Sequence, residues 1–220
     1  MPNMDSRTEA VSHRSLKLSI IFSVLMLLAG FAWFDRTGGS QYVEASTLSN
    51  KTAAKADKSK KARAAFNDAV KVFLSPRCSN CHPAGDSPLQ GDMSKLHDPE
   101  ITRGIEGRGT EDLQCNMCHL EKNTEGDPAP PGVPDWHMPS AAQKMVFQGL
   151  TAGQICQNLK DPLKNGGRKS AKDAVEHLAT DPKVLWAWSP GNGRTTPPMS
   201  HADFIKKMNE WVANGAACPK

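Results

Sequence analysis

The apolar and polar positions divide the chain into four stretches. Residues 1–17 are polar and carry Arg7, Arg14 and Lys17. Residues 18–34, from Leu18 to Phe34, contain no charge. Seventeen such residues are at the lower limit for a membrane-spanning helix and slightly long for the apolar part of a secretory signal. Positive charge on the N-terminal flank puts everything after this stretch outside the cytoplasm in either case. Phe31, Trp33 and Phe34 suit an interfacial anchor, and the one conceivable cleavage site, Val43-Glu44-Ala45, lies well past the apolar run. An uncleaved transmembrane anchor at 18–34 is therefore expected, with a removed signal as the alternative. Residues 35–60 are rich in Ser, Thr, Ala, Lys and Gly and almost lack large apolar side chains, which predicts a flexible tether.

From about residue 61 the pattern becomes that of a folded, mainly α domain running to residue 220. Ala62, Ala65, Phe66, Ala69, Val70 and Phe73 recur at helical spacing and predict a helix over 60–74, ended by Pro76. A short helical turn with Thr110 as its N-cap is predicted over 110–118. Residues 151–159 read as a further short helix. Two capping boxes, Ser170 to Asp173 and Ser200 to Asp203, open two more helices. The last carries Phe204, Ile205, Met208, Trp211 and Val212 on one side and stops at Asn214-Gly215. Residues 83–108 read as loop. Asp127–Pro139 is proline-dense and predicts extended chain. Trp186 and Trp188 fall in a predicted loop.

Composition sharpens this picture. Seventeen Gly and sixteen Pro in 220 residues mean a loop-rich fold that buries little against itself. Net charge is +4, with basic residues scattered and no interleaved aromatic stripe, so no nucleic-acid partner is indicated.

The six cysteines change the picture most. Four of them lie in one pentapeptide that occurs twice, Cys78-Ser79-Asn80-Cys81-His82 and Cys115-Asn116-Met117-Cys118-His119. Cys-x-x-Cys-His is the attachment sequence for c-type haem. The two thiols add to the two vinyl groups of one porphyrin, and the adjacent histidine becomes the proximal ligand of the iron. Paired Cys-x-x-Cys motifs of zinc ribbons stand about 15–20 residues apart and need no histidine after each pair. Here 33 residues, 82–114, separate Cys81 from Cys115. A redox dithiol needs a βαβ context, and none is visible. The expectation is two covalent haems c, with Cys78, Cys81, Cys115 and Cys118 as attachment points and His82 and His119 as proximal ligands.

Each iron then needs a sixth ligand or an open face. The loop histidines His97 and His137 follow the two motifs and are the favoured distal candidates, with Met138 and Met199 in proline-bounded loops as alternatives. His177 and His201 rank lower, because they fall on predicted helices. Cys156 and Cys218 belong to neither motif and, in an oxidising compartment, are expected to form a disulfide that pins the C-terminus.

The arrangement of helix, break and haem motif resembles the start of small c-type cytochromes, and residues 60–219 resemble the dihaem c-type cytochromes of Gram-negative bacteria. Arg77 to Asp86, Pro88 to Gly91, Trp136-His137 and Ala217 to Pro219 are similar to a small family of haem proteins found alongside isoquinoline 1-oxidoreductase-type dehydrogenases. The resemblance implies a cytochrome c-like fold packed around two covalent haems. It also implies an electron carrier, not an enzyme, at the periplasmic face of the inner membrane, between a dehydrogenase donor and a cytochrome or oxidase acceptor. A dihaem peroxidase and a haem subunit of a larger oxidoreductase complex are the competing functions.

Overall fold

In the computed structural model, residues 47–126 and 129–220 are described. The expected anchor at 18–34, its polar flank 1–17, the first part of the tether and the pair Asp127 and Pro128 lie outside the described residues. The chain divides into two units, Met1–Ala54 and Lys55–Lys220. Among the described residues no helix is long and apolar enough to cross a membrane.

The described chain is mainly helical. Helix α1 covers 47–73, with residues 47–54 in the first unit. Its start corrects the expectation of a flexible tether through residue 60. The segment 47–60 is dominated by Ala and Lys, which have high intrinsic helix propensity and need no apolar stripe to be helical. It is almost wholly exposed, whereas Ala62, Ala65, Phe66, Ala69, Val70, Val72 and Phe73 are buried. Ser75 then stands at the N-cap position of a one-turn helix α2, Pro76–Ser79, its hydroxyl donating back to Val72 O, with Pro at the first helical position.

After the first motif a small antiparallel hairpin forms, β1 Leu89–Gln90 with β2 Lys95–Leu96. Gly91 at its turn has φ +68°, which suits a residue without Cβ. The turn expected over 110–118 is a 3-10 helix at Cys115–Met117 only. Thr110 is not its cap. Its backbone N–H instead donates to Leu113 O, and Gly109 bridges to Gln114, so the backbone doubles back before the motif. A second 3-10 turn lies at Ala141–Gln143.

Three capped helices follow as the sequence predicts. Helix α3, Ala152–Lys160, opens with a capping box between Thr151 and Gln154. In α4, Ala171–Thr180, the Ser170 side chain accepts from Asp173 N. In α6, His201–Ala213, Ser200 accepts from Asp203 N. Between them lies a helix that periodicity does not reveal, α5 Pro182–Trp186. The Asp181 side chain caps it and proline occupies its first turn.

The core forms where α1, α3, α4 and α6 meet. Trp211 and Phe66 are fully buried, with ring centroids 5.2 Å apart. Phe73 meets Phe204 and Phe147 edge-on at 5.3 and 5.0 Å. Truncating such an aromatic to Ala costs roughly 3–5 kcal/mol, so this cluster carries much of the fold. The expected disulfide is present between Cys156 and Cys218 and ties α3 to the C-terminal tail.

Candidate functional site

The first motif sits at the edge of this core. Its first cysteine falls in α2, and His82 packs on Phe147 with centroids 4.3 Å apart. The His82 Nδ1 lies 3.1 Å from Met145 O. A carbonyl only accepts, so Nδ1 donates, the proton sits there, and the Nε2 lone pair is left for a metal. His119 in the second motif is held in the same way, with Nδ1 donating to Pro131 O at 2.7 Å. Metal-ligating histidines are characteristically oriented through the other ring nitrogen in this fashion. Burial pushes His82 down to about 4 and lowers His119, so both rings are neutral near pH 7.

A cavity of about 500 Å³ opens beside the first motif. Cys78, Cys81 and His82 line it together with aromatic walls that include Phe73, Trp186 and Trp188. Such a volume is within the roughly 300–1,000 Å³ range of small-molecule sites. Arg77 also lines it. This guanidinium is 7% exposed, pairs with Asp92 Oδ1 at 2.7 Å and lies 5.9 Å from the centroid of the Trp186 ring. Its buried Nε has no hydrogen-bond partner. An unmatched donor on a cavity wall suits a carboxylate of the ligand, as a haem propionate supplies. The donor set, the apolar walls and this cation all fit haem.

The four motif thiols are free. Burial pushes Cys78 up to about 12 and Cys81 up to about 11, with the charge of nearby Cys115 adding to the rise at Cys81. Dithiol oxidoreductases need the opposite, a depressed thiol pKa. Among the described residues no group of three or more His, Cys, Asp or Glu is placed to hold a metal ion.

The structure separates the distal candidates. His97 lies beside His119, with ring centroids 5.8 Å apart, and its Nδ1 donates to Pro99 O at 2.9 Å. Two imidazoles bound through Nε2 to opposite faces of one iron stand with centroids about 6 Å apart, given metal–nitrogen bonds of about 2 Å. Leu96, Met117 and Leu120, which flank these residues in the chain, are exposed and would gain cover from a bound macrocycle. His137 lines the other cavity, the one at the first motif, and its Nδ1 donates to Asp135 O at 2.7 Å. His177 lines that cavity as well. His201 does not fit a ligand's role, because its Nε2 donates to Leu178 O at 3.0 Å.

Neither Met138 nor Met199 is among the residues lining the cavity. Met138 is buried, and its backbone N–H donates to Gly107 O. Met199 packs against the hydrophobic core. Met145 does reach the cavity, but its carbonyl holds His82 from the Nδ1 side, which puts it behind that ring.

The two motifs adjoin. Trp136 lies flat on His119, centroids 4.6 Å apart and planes 2° apart, and meets Trp186 edge-on at 5.1 Å. Both tryptophans line the first cavity. Asn123 fixes this junction, because its Oδ1 accepts from Trp186 Nε1 and from Gly132 N. Arg103, 1% exposed, binds Pro139 O at 2.6 Å and Gly85 O at 3.4 Å, so the chain after one motif is clamped to the chain after the other. Periodicity shows none of Arg77, Arg103 and Asn123. The only sequence signal is the position of Arg77 directly before Cys78. Comparison with family models, with curated proteins and with solved structures finds no match to this chain.

Proposed function

We propose that the protein is a dihaem c-type cytochrome that carries electrons from a dehydrogenase to a respiratory acceptor. The observation that carries this reading is shared by the two motifs. Each histidine donates Nδ1–H to a backbone carbonyl and keeps Nε2 for iron, directly after a pair of free thiols. Cys78, Cys81 and His82 would hold one haem, and Cys115, Cys118 and His119 the other. Haem iron supplies one-electron exchange between its ferric and ferrous states. The chain's own part is to shield, orient and tune. His97 serves as the second ligand at the second motif. At the first motif the distal ligand comes from the cavity wall, where His137 and His177 stand. Arg77 meets a propionate. The ring contacts from His119 through Trp136 to Trp186, which lines the first cavity, support exchange between two such centres.

The apolar run at 18–34 would anchor this domain to the periplasmic face of the inner membrane, or be removed as a signal to leave a soluble periplasmic protein. A six-coordinate iron leaves no face for peroxide, so His97 opposite His119 together with a wall histidine opposite His82 would favour a carrier over a peroxidase.

Mass spectrometry of the purified protein tests the reading. Two covalent haems are expected, with Cys78→Ala/Cys81→Ala and Cys115→Ala/Cys118→Ala each removing one. A native protein carrying zinc and no porphyrin refutes it. Two six-coordinate low-spin haems that ignore both cyanide and peroxide would sink the enzyme reading.

A further inference from the structure

We propose that His177, oriented by Asp181, is the axial ligand opposite His82 at the first haem. The proposal rests on the haem reading above and deepens it.

His177 stands on α4, and Ala174, His177, Leu178 and Asp181 all line the cavity that holds the first motif. The spacing of Ala174, His177 and Leu178 puts them on one face of α4, and Asp181 follows at its C-terminal end. A carboxylate stands behind the ring at ion-pair distance. His177 Nδ1 lies 3.5 Å from Asp181 Oδ2. That carboxylate is itself immobilised, because its other oxygen accepts from Lys183 N at 2.8 Å and Val184 N at 3.4 Å as the cap of α5. A carboxylate on Nδ1 keeps the proton there, turns the Nε2 lone pair outward and makes the imidazole a stronger donor, the arrangement common behind metal-bound histidines.

The competing histidine on the same wall, His137, also has a carboxylate on Nδ1, Asp135 Oδ2 at 3.2 Å, so the choice rests on the backbone that carries each ring. His137 follows Asp135, a non-glycine residue at φ +58°, and its side chain is tied to that exposed turn. Asp135 is engaged with Arg108 at 2.6 Å and Lys183 at 3.6 Å. The neighbour of His137, Trp136, is stacked on His119. This puts His137 at the junction of the two sites. α4 by contrast is locked into the core through Ala174, Val175 and Leu178. Ligand geometry is held more tightly on a packed helix than on a loop.

The test uses the purified holoprotein and reads haem count by mass, spin state by optical and electron paramagnetic resonance spectra, and potential by redox titration. His177→Ala is expected to keep two covalent haems and convert one from low-spin to high-spin, with added imidazole restoring the low-spin spectrum. His137→Ala is expected to leave both haems low-spin. Asp181→Asn is expected to raise one potential and leave the other unchanged. If His177→Ala retains two low-spin haems at unchanged potentials, or if His137→Ala produces the high-spin haem, the proposal is overturned while the cytochrome reading stands. If His177→Ala does not accumulate, His177→Met decides. One potential should rise with both haems low-spin, and two unchanged potentials overturn the assignment. A wild-type protein without covalent haem removes the reading itself, which the mass shows before any variant is made.

Discussion

His97 follows the first haem motif in the chain, yet its ring lies 5.8 Å from that of His119 in the second. The hairpin β1–β2 makes this crossing. Asn80, inside the first motif, anchors it, accepting from Leu89 N at 2.9 Å and donating from Nδ2 to Gly91 O at 2.8 Å. His97 N then donates to Pro88 O at 3.2 Å, where the hairpin ends. A residue from one motif's flank is thus brought beside the other motif's histidine, where in the proposed reading it would serve that motif's iron. His97→Ala is expected to turn one haem high-spin without loss of either covalent haem. His97→Met is expected to keep it low-spin and raise its potential, by a part of the roughly 0.8 V range over which axial ligands tune haem iron. Redox titration of the two variants checks both outcomes.

Arg77 should set the potential of the first haem alone. A buried cation near an iron disfavours the ferric state, so removing it stabilises the oxidised form. Arg77→Met is expected to lower one of the two potentials and leave the other in place. The same change leaves Asp92 without its 2.7 Å partner, so a lower unfolding midpoint should accompany the shift.

The raised thiols predict an alkaline instability confined to the haem-free chain. Cys78 and Cys81 hold their protons more tightly when folded, up to about 12 and about 11, than at the ordinary 9.0. Unfolding therefore releases protons above pH 9, and stability that is complete below that value falls as pH rises through the window from 9 to 12. Haem-free protein should show a lower urea midpoint at about pH 10 than at about pH 8, and Cys78→Ser/Cys81→Ser should flatten that difference. In the holoprotein these sulfurs are thioethers without a proton, so this contribution should vanish.

The Cys156–Cys218 bridge closes a span of 62 residues between α3 and the tail. Cys156→Ser/Cys218→Ser is expected to lower unfolding free energy by roughly 2–4 kcal/mol. Urea titration of the holoprotein, with the haem spectra followed in parallel, should show the loss in global stability with axial ligation unchanged, because neither cysteine lines the cavity at the first motif.

What the sequence by itself determined is chemistry that acts over a few residues. The paired thiols and adjacent histidine are legible because each set falls within five consecutive residues, the spacing that haem attachment would require. The starts of α4 and α6 are legible because Ser170 and Ser200 each satisfy a backbone donor three residues on. The Cys156–Cys218 pair follows from having two thiols left over. The tertiary structure decided everything that depends on distant chain segments meeting. Local pattern does not show that α1 reaches back to residue 47, because propensity without an apolar stripe looks like linker. Nor does it show that Arg77 is buried with an unmatched Nε, since a lone arginine reads as surface. Above all, the pairing of histidines is set by the hairpin that carries His97 across to His119 and by the core packing that turns α4 toward the cavity. A histidine's distance along the chain from a motif carries little information about which motif it faces, because the backbone between them is free to cross from one site to the other.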